Sequence, residues 1–521
     1  MTGRSVRWPG GRVQGRNAIF PNGNAPAIPN GHPEPPTLSA AAGGTDFPPL
    51  CLTAPPALAT RRAVSQGGRT MPINPADGPI LGRLYGSDAM RAVFDEAAYF
   101  QRMLDVEAAL ARVQARLGLI PAEAAAAIGA AARFENLDPA ALAASAANVG
   151  YPVVGLVAEL ARAAGAAGAW THWGATTQDI MDTATVLQLR DGLALIAAEQ
   201  AAVLDALLVQ ADRHRATVMA GRTHLQQALP TSFGLKCAIW AQPFLGHRQR
   251  LVQLRPRVER VSFGGAAGTL ASLGTQGIAV MTGLAEDLGL GTPAAPWHVC
   301  RDGLAEAVSL LGLICGSLAK FATDVILLAQ TEVGEVAEPY VAGRGASSTM
   351  PQKRNPIAAE YIAAAARGVQ ALVPLMQGAM AQDHERGTGP WQAEALAIPQ
   401  AFVLTHGALR HARVIAEGIV VDAGRMRRNL DLTGGLIVAE AVMMGLAPVL
   451  GRGEAHHVVK HACDIALAER IPLAAALARA PEVAGRLDAA TLARLTDPAA
   501  YLGSAEAFID RVLAAARTGE G

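Results

Sequence analysis

The sequence predicts an all-α protein of three helical domains, in which the long helices of the central domain form a bundle that assembles with further copies into a multi-subunit core. Three observations predict it. No proline occurs between Pro152 and Pro230 or between Pro296 and Pro339, and the segments 182–219, 302–338 and 357–386 are rich in Ala, Leu, Val and Glu. Helices of roughly thirty residues would be about 45 Å long, and rods of that length must bury apolar stripes on one another. No alternating strand runs of useful length are present, so the apolar surface left on such rods is expected to associate with other chains.

The elements follow in order. Residues 1–70 carry repeated Pro, Gly and Asn, as in Pro21-Asn22-Gly23-Asn24 and Pro33-Glu34-Pro35-Pro36, with no helical or strand period, and are expected to be a disordered extension. They lack the apolar core of roughly 7–15 residues that a secretory signal needs. Met71 opens the first segment with the character of a folded chain, an N-terminal helical domain over 71–181. Within it Met103, Val106, Leu110, Val113 and Leu117 recur at three- and four-residue steps, which places them on one helix face before Pro121 ends the run. The central long-helix domain is expected over 182–421 and a C-terminal helical domain over 422–521.

Composition sets limits on function. With 51% hydrophobic and 17% charged residues the chain is globular, and its formal net charge of zero gives no reason to expect nucleic acid or a membrane as partner. The five cysteines, at 51, 237, 300, 315 and 463, form no ligand-spaced cluster and are odd in number, which fits reduced thiols in a cytoplasm.

Four segments have the residue types that chemistry requires. In Gly345-Ala346-Ser347-Ser348-Thr349-Met350-Pro351-Gln352-Lys353-Arg354-Asn355-Pro356, adjacent hydroxyls, a lysine, an arginine and an asparagine share one loop that can bind an anion and present a serine to it. Only four of the 44 basic residues are lysines, so Lys353 stands out from the background. Thr171-His172-Trp173-Gly174-Ala175-Thr176-Thr177-Gln178-Asp179 precedes a long helix, where free N–H groups and the helix dipole favour a carboxylate; simple helix capping would need only two of these residues. Gly221-Arg222-Thr223-His224-Leu225-Gln226-Gln227 surrounds a histidine with polar partners, and Asp383-His384-Glu385-Arg386 opens a charged run that a solvated surface explains nearly as well. No His-x3-His or Cys-x2-Cys spacing occurs in these clusters, so no metal is expected. The glycines at 264, 265 and 268 imitate a dinucleotide loop, but without a preceding strand they read as a turn between helices.

Together these segments resemble the fumarase/aspartase superfamily of lyases, whose signature loop the Ser347-Ser348-Thr349-Met350-Pro351-Gln352-Lys353-Arg354-Asn355-Pro356 run matches; the His172 and His224 segments follow in the right order, over roughly residues 80–500. Within it the resemblance is to the family of bacterial 3-carboxy-cis,cis-muconate cycloisomerases, carried by 172–179, by 384–394 and by 435–448. Adenylosuccinate lyases are the nearest rival, but Trp391 and Ala395 stand where those enzymes grip a nucleotide phosphate. The resemblance implies lactonisation of a small tricarboxylate by its own carboxylate, in the protocatechuate branch of aromatic degradation, without metal or cofactor. Ser347 would transfer the proton, with His224 and Glu360 as a second catalytic pair. His172, Thr176, Thr177, Gln226, Lys353, Asn355 and Arg386 would bind substrate. It further implies a homotetramer with active sites shared between subunits. A non-catalytic use of the same scaffold is the competing class, opposed by the joint presence of Ser347, Lys353, Asn355, His224 and Glu360.

Overall fold

The described residues are predominantly helical. A computed structural model describes residues 74–341, 343, 345, 349–350 and 352–518; the expected extension over 1–70 and the candidate Ser347 lie outside the described residues.

Helix α1, Glu96–Arg116, starts where the Asp95 carboxylate accepts from the amide of Ala97 at 3.0 Å, satisfying one of the free donors of the first turn. The spacing that predicted it is the spacing that is buried: Met103, Val106, Leu110 and Val113 are at most 1% exposed. Helices α2 (Ala122–Ala131), α3 (Pro139–Val149) and α4 (Pro152–Ala164) follow, the last two opened by proline, which has no amide to lose there. Ile128, Leu142 and Leu156 close a first core against α1.

The central bundle contains α5 (Thr177–Arg213), α6 (Phe233–Val258), α8 (Asp302–Ala329), α9 (Ile357–Gly378) and α10 (Pro390–Gly418), with α7 (Gly277–Leu288) packed beside α1. Its core is one continuous cluster in which Leu193, Phe244, Leu311, Phe321, Ile362, Phe402 and Leu409 are essentially inaccessible. The 37 residues of α5 span about 55 Å at 1.5 Å per residue. By length and apolar content α5 and α8 could cross a membrane, yet here part of that apolar surface is spent on the bundle core.

The long helices end earlier than their composition predicts. The segment that includes Met219 turns instead into a hairpin, β1 (Val218–Thr223) and β2 (Gln226–Ser232), whose two-residue turn, His224-Leu225, takes positive φ at both positions. α8 stops at Ala329, and β3 (Val336–Ala337) pairs with β4 (Val420–Val421). Alternation in the sequence did not reveal these strands because they are short and carry polar residues, Arg222, Thr223, Gln226 and Gln227 among them. Beyond them α11 (Ala423–Leu430) places Met426 in the bundle core, α12 (Ala439–Leu450) and α13 (Arg452–Glu469) build a separate core around Leu446, Val459 and Leu473, and α14 (Ala505–Thr518) returns to place Ile509 in the bundle.

The bundle has two chemically distinct ends. Arg301, just before α8, and Trp391, on the first turn of α10, both bond Asp182 near the start of α5, so these three helices run parallel from a common end. At the other end Arg222 of the hairpin pairs with Glu335 beside β3 at 2.6 Å, and β3 pairs with β4 after α10.

Candidate active site

The first end gathers four of the candidate residues. Thr176 is the N-cap of α5, with extended backbone, and its amide donates to the Asp179 carboxylate at 2.9 Å. Asp179 is inaccessible and saturated: it also accepts from the amides of Gly264 at 2.7 Å and Gly265 at 3.0 Å and bonds His298 Nε2 at 2.7 Å. A Cβ on Gly264 would fall 2.9 Å from the His298 ring, and Gly265 has φ +69°, so glycine is required in this loop. The loop then offers the carbonyl of Ala266 to Arg386, which donates to it at 2.9 Å. The helix start bearing Thr176 and Thr177 is thus linked to Arg386 through a glycine turn.

His172 lies five residues before Thr177 with φ 58°, a left-handed backbone that a histidine seldom adopts. Its Nδ1 is 2.6 Å from Oε1 of the buried Glu107, and its amide donates to the other oxygen at 3.2 Å. Burial disfavours the charged ring, but the Glu107 carboxylate outweighs it and raises the pKa above that of an ordinary histidine. Seven residues, about two turns, further along α1, Gln114 donates to the Trp173 carbonyl at 2.6 Å.

Beneath this layer Arg301 is buried between two carboxylates. It meets Asp182 through two bonds of 2.6 and 3.0 Å and Glu394 through its Nε at 2.8 Å, with the Trp297 ring 5.0 Å away. Burial pushes the Glu394 carboxyl above the usual range although Arg301 opposes it. A cavity of about 370 Å³ opens alongside, lined by Tyr99, Tyr151, Asp182, Trp391, Glu394 and Ala395 among others; the Tyr151 and Trp391 rings stack with centroids 5.8 Å apart.

The other described candidates lie toward the second end. His224 and Gln226 are exposed at the hairpin tip, whose base is fixed by the Arg222–Glu335 pair; Asn429 donates to Glu335 at 2.7 Å, and Gln227 to the Asn429 carbonyl at 2.7 Å. Glu360 is exposed on the first turn of α9. Lys353 is exposed, and Asn355, half-buried, donates its amide to the Gly345 carbonyl at 3.1 Å. Arg354 stacks over the Tyr340 ring at 4.8 Å. Glu338 caps α9 by accepting from the amides of Ala358 and Ala359 at 3.1 and 2.8 Å.

Within one chain, then, His172, Thr176, Thr177 and Arg386 are linked at the start of α5, whereas His224 and Gln226 on the hairpin tip and Lys353, Asn355 and Glu360 around the start of α9 lie toward the other end of the bundle, beyond the roughly 55 Å length of α5. Sequence reading passed over Glu107, Gln114, Asp179, Arg301 and Glu335 as site-building groups. A signal existed for the first two: they are polar residues seven apart in a helix face that is otherwise apolar, which marks buried partners.

Comparison with known proteins agrees along most of the chain. Residues 83–371 match the family model described as lyase, and residues 435–512 match that described as adenylosuccinate lyase C-terminus. The chain is 50% identical to 3-carboxy-cis,cis-muconate cycloisomerase of Pseudomonas aeruginosa, over 82% of this chain and 94% of that protein. It is also 45% identical to trans-aconitate decarboxylase 1 of Mycosarcoma maydis, over 83% and 88% of the two chains. Among solved structures, the 3-carboxy-cis,cis-muconate lactonizing enzyme of Pseudomonas putida superposes with a TM-score of 0.81 at 46% identity, covering 84% of this chain and 99% of that one.

Proposed function

The chain belongs to the fumarase/aspartase superfamily of lyases and is an enzyme of its lyase and isomerase chemistry; from that premise we propose that it converts 3-carboxy-cis,cis-muconate to 4-carboxymuconolactone. One substrate carboxylate oxygen forms a bond to an alkene carbon. The displaced π electrons move to the neighbouring carbon and into its carboxylate as an aci-carboxylate, and a proton delivered to that carbon completes the lactone. Ser347 is the proton donor of this reading; because an unassisted serine is a weak acid, the reading requires positive charge and exclusion of water to activate it. Lys353, Asn355, Thr176, Thr177 and the N-terminus of α5 stabilise the aci-carboxylate, while His172, Gln226 and Arg386 bind the remaining carboxylates. His224, oriented by Glu360, binds or orients substrate, since a carboxylate needs little help from an acid. Each complete site then combines the three motif regions from different subunits of a homotetramer, since one chain keeps the His172 segment and the His224 hairpin at opposite ends of the bundle.

The observation that carries this substrate over a nucleotide is the Trp391 region. Trp391 is 7% exposed, donates to Asp182 at 3.0 Å and stacks on Tyr151, while Glu96, Asp182 and Glu394 line the adjoining cavity with no Lys or Arg among its lining residues. A phosphate there would meet carboxylates in place of donors. The second reading is a lyase acting on another di- or tricarboxylate, favoured by the 45% identity to a protein named for trans-aconitate.

The test follows ultraviolet absorbance of 3-carboxy-cis,cis-muconate with the full chain, because lactonisation shortens the conjugated system. Turnover by the wild type that falls at least about 100-fold in Ser347→Ala supports the proposal. Parallel incubations with adenylosuccinate and trans-aconitate decide against it if either is consumed while the muconate spectrum stays constant.

A further inference from the structure

We infer that Glu107 is a positioning residue that holds His172 as an imidazolium with Nε2–H directed away from α1, so that His172 grips a substrate carboxylate through a charged hydrogen bond. The inference rests on the reading of this end of the bundle as a carboxylate-binding surface, and it concerns a residue to which neither motif nor resemblance gives a role.

Glu107 sits in the middle of the apolar face of α1, flanked by Met103, Val106 and Leu110, and is 1% exposed. An ionised carboxylate in such a place is retained only if it is paired. Both of its oxygens meet His172, one at the ring Nδ1 and the other at the backbone amide. The amide bond ties the carboxylate to the main chain of His172 itself, and the φ of 58° shows that this backbone is held where histidine rarely goes. With Nδ1 engaged, Nε2 is the nitrogen left to face a ligand. Gln114, on the same face of α1, fixes the next carbonyl, that of Trp173, so one helix sets both neighbours.

The charged groups acting on the ring are Glu107 from α1 and Asp179 from α5, and both favour the cation. Asp179 is already committed to Thr176, Gly264, Gly265 and His298, which leaves Glu107 as the direct partner. The sign is therefore fixed: the raised pKa of His172 keeps the ring charged to higher pH than an ordinary histidine, and substrate affinity is lost as pH rises through that value. Removing the Glu107 charge moves the loss to lower pH.

The experiment measures hydrogen–deuterium exchange at the imidazole carbon of His172 by mass spectrometry against pH, in full-length wild type, Glu107→Gln and Glu107→Asp, beside steady-state kinetics on the muconate. The Gln variant is expected to lower the His172 midpoint by about one unit or more and to raise KM about ten-fold near neutrality. Its kcat stays within about three-fold, because uniform binding is what is lost. The Asp variant, which keeps the charge, restores most of both. An unchanged midpoint in Glu107→Gln overturns the inference, as does a lowered midpoint with unchanged KM. Should that variant fail to fold, a wild-type His172 midpoint no higher than that of an exposed histidine overturns it. A wild type whose His172 midpoint is raised but which leaves muconate untouched supports the Glu107 link and removes the proposed substrate.

Discussion

Arg301 shows at the scale of one residue why the candidate site is rigid. Its guanidinium is buried at 2% exposure and is the shared partner of Asp182 and Glu394, which come from α5 and α10. Arg301→Met would leave both carboxylates in a dry interior without a cation, and is expected to cost about 3–5 kcal/mol, read as a lowered urea midpoint. The loss should be smaller at pH 5 than at pH 8, because burial already holds the Glu394 carboxyl high and protonation removes the unpaired charge; equal losses at both values would refute this account. His172, Thr176 and Arg386 could be read from their motifs because each stands in a local run of functional residue types. Glu107 and Arg301 could not be assigned, since Glu107 finds His172 65 positions away and Arg301 finds Asp182 119 positions away.

At the scale of an element, the start of α9 controls where Glu360 stands. The helix begins beside Pro356, which offers no side-chain cap, and Glu338 from the preceding segment supplies the acceptor for Ala358 and Ala359. Glu338→Ala should therefore loosen the first turn by about 1 kcal/mol, seen as faster amide exchange at Ala358 and Ala359 with the rest of α9 unchanged. Unaltered exchange there would mean that packing alone holds the turn. Close to the same point Gly345 has φ +67°, and an added Cβ would lie 2.7 Å from the Asn355 carbonyl. Gly345→Ala should force the two chain segments apart and lower kcat on the muconate while leaving the melting temperature nearly unchanged, because Gly345 belongs to no buried core cluster. Helix positions were legible from apolar periodicity, whereas the ends were not: α8 terminates at Ala329 because its C-terminal neighbours are drawn into β3 by a pairing with distant β4.

At the scale of the whole molecule, the outer faces of the bundle keep apolar side chains. Val209, Ile239, Val252, Leu313 and Leu396 are each more than half exposed, and all five lie on bundle helices whose opposite faces are fully buried. A bundle with apolar residues on its outer faces is suited to packing against copies of itself. Mixing His172→Ala chains with Ser347→Ala chains, assayed at substrate well below KM, where each is strongly impaired alone, should restore part of the activity once the subunits reassort, because some sites would then draw intact His172 and Ser347 from different chains. Absence of recovery after demonstrated exchange of subunits would argue that sites are not shared. Leu313→Lys combined with Val252→Lys should yield smaller, inactive species that keep their helical circular dichroism, and full activity in a monomer would refute the shared site.

The sequence by itself determined the helical class, the run of buried positions in α1 and the family, and proposed the four candidate segments, because these depend on local periodicity and on side chains within a few residues of one another. Only the tertiary structure decided which of those segments meet. It joins Thr176 to Arg386 through Asp179 and a glycine turn, sets Glu107 against His172, and holds His224 and Glu360 the length of a helix away from them. The physical reason is that burial and ion pairing act between groups brought close by packing, at sequence separations that periodicity does not reach.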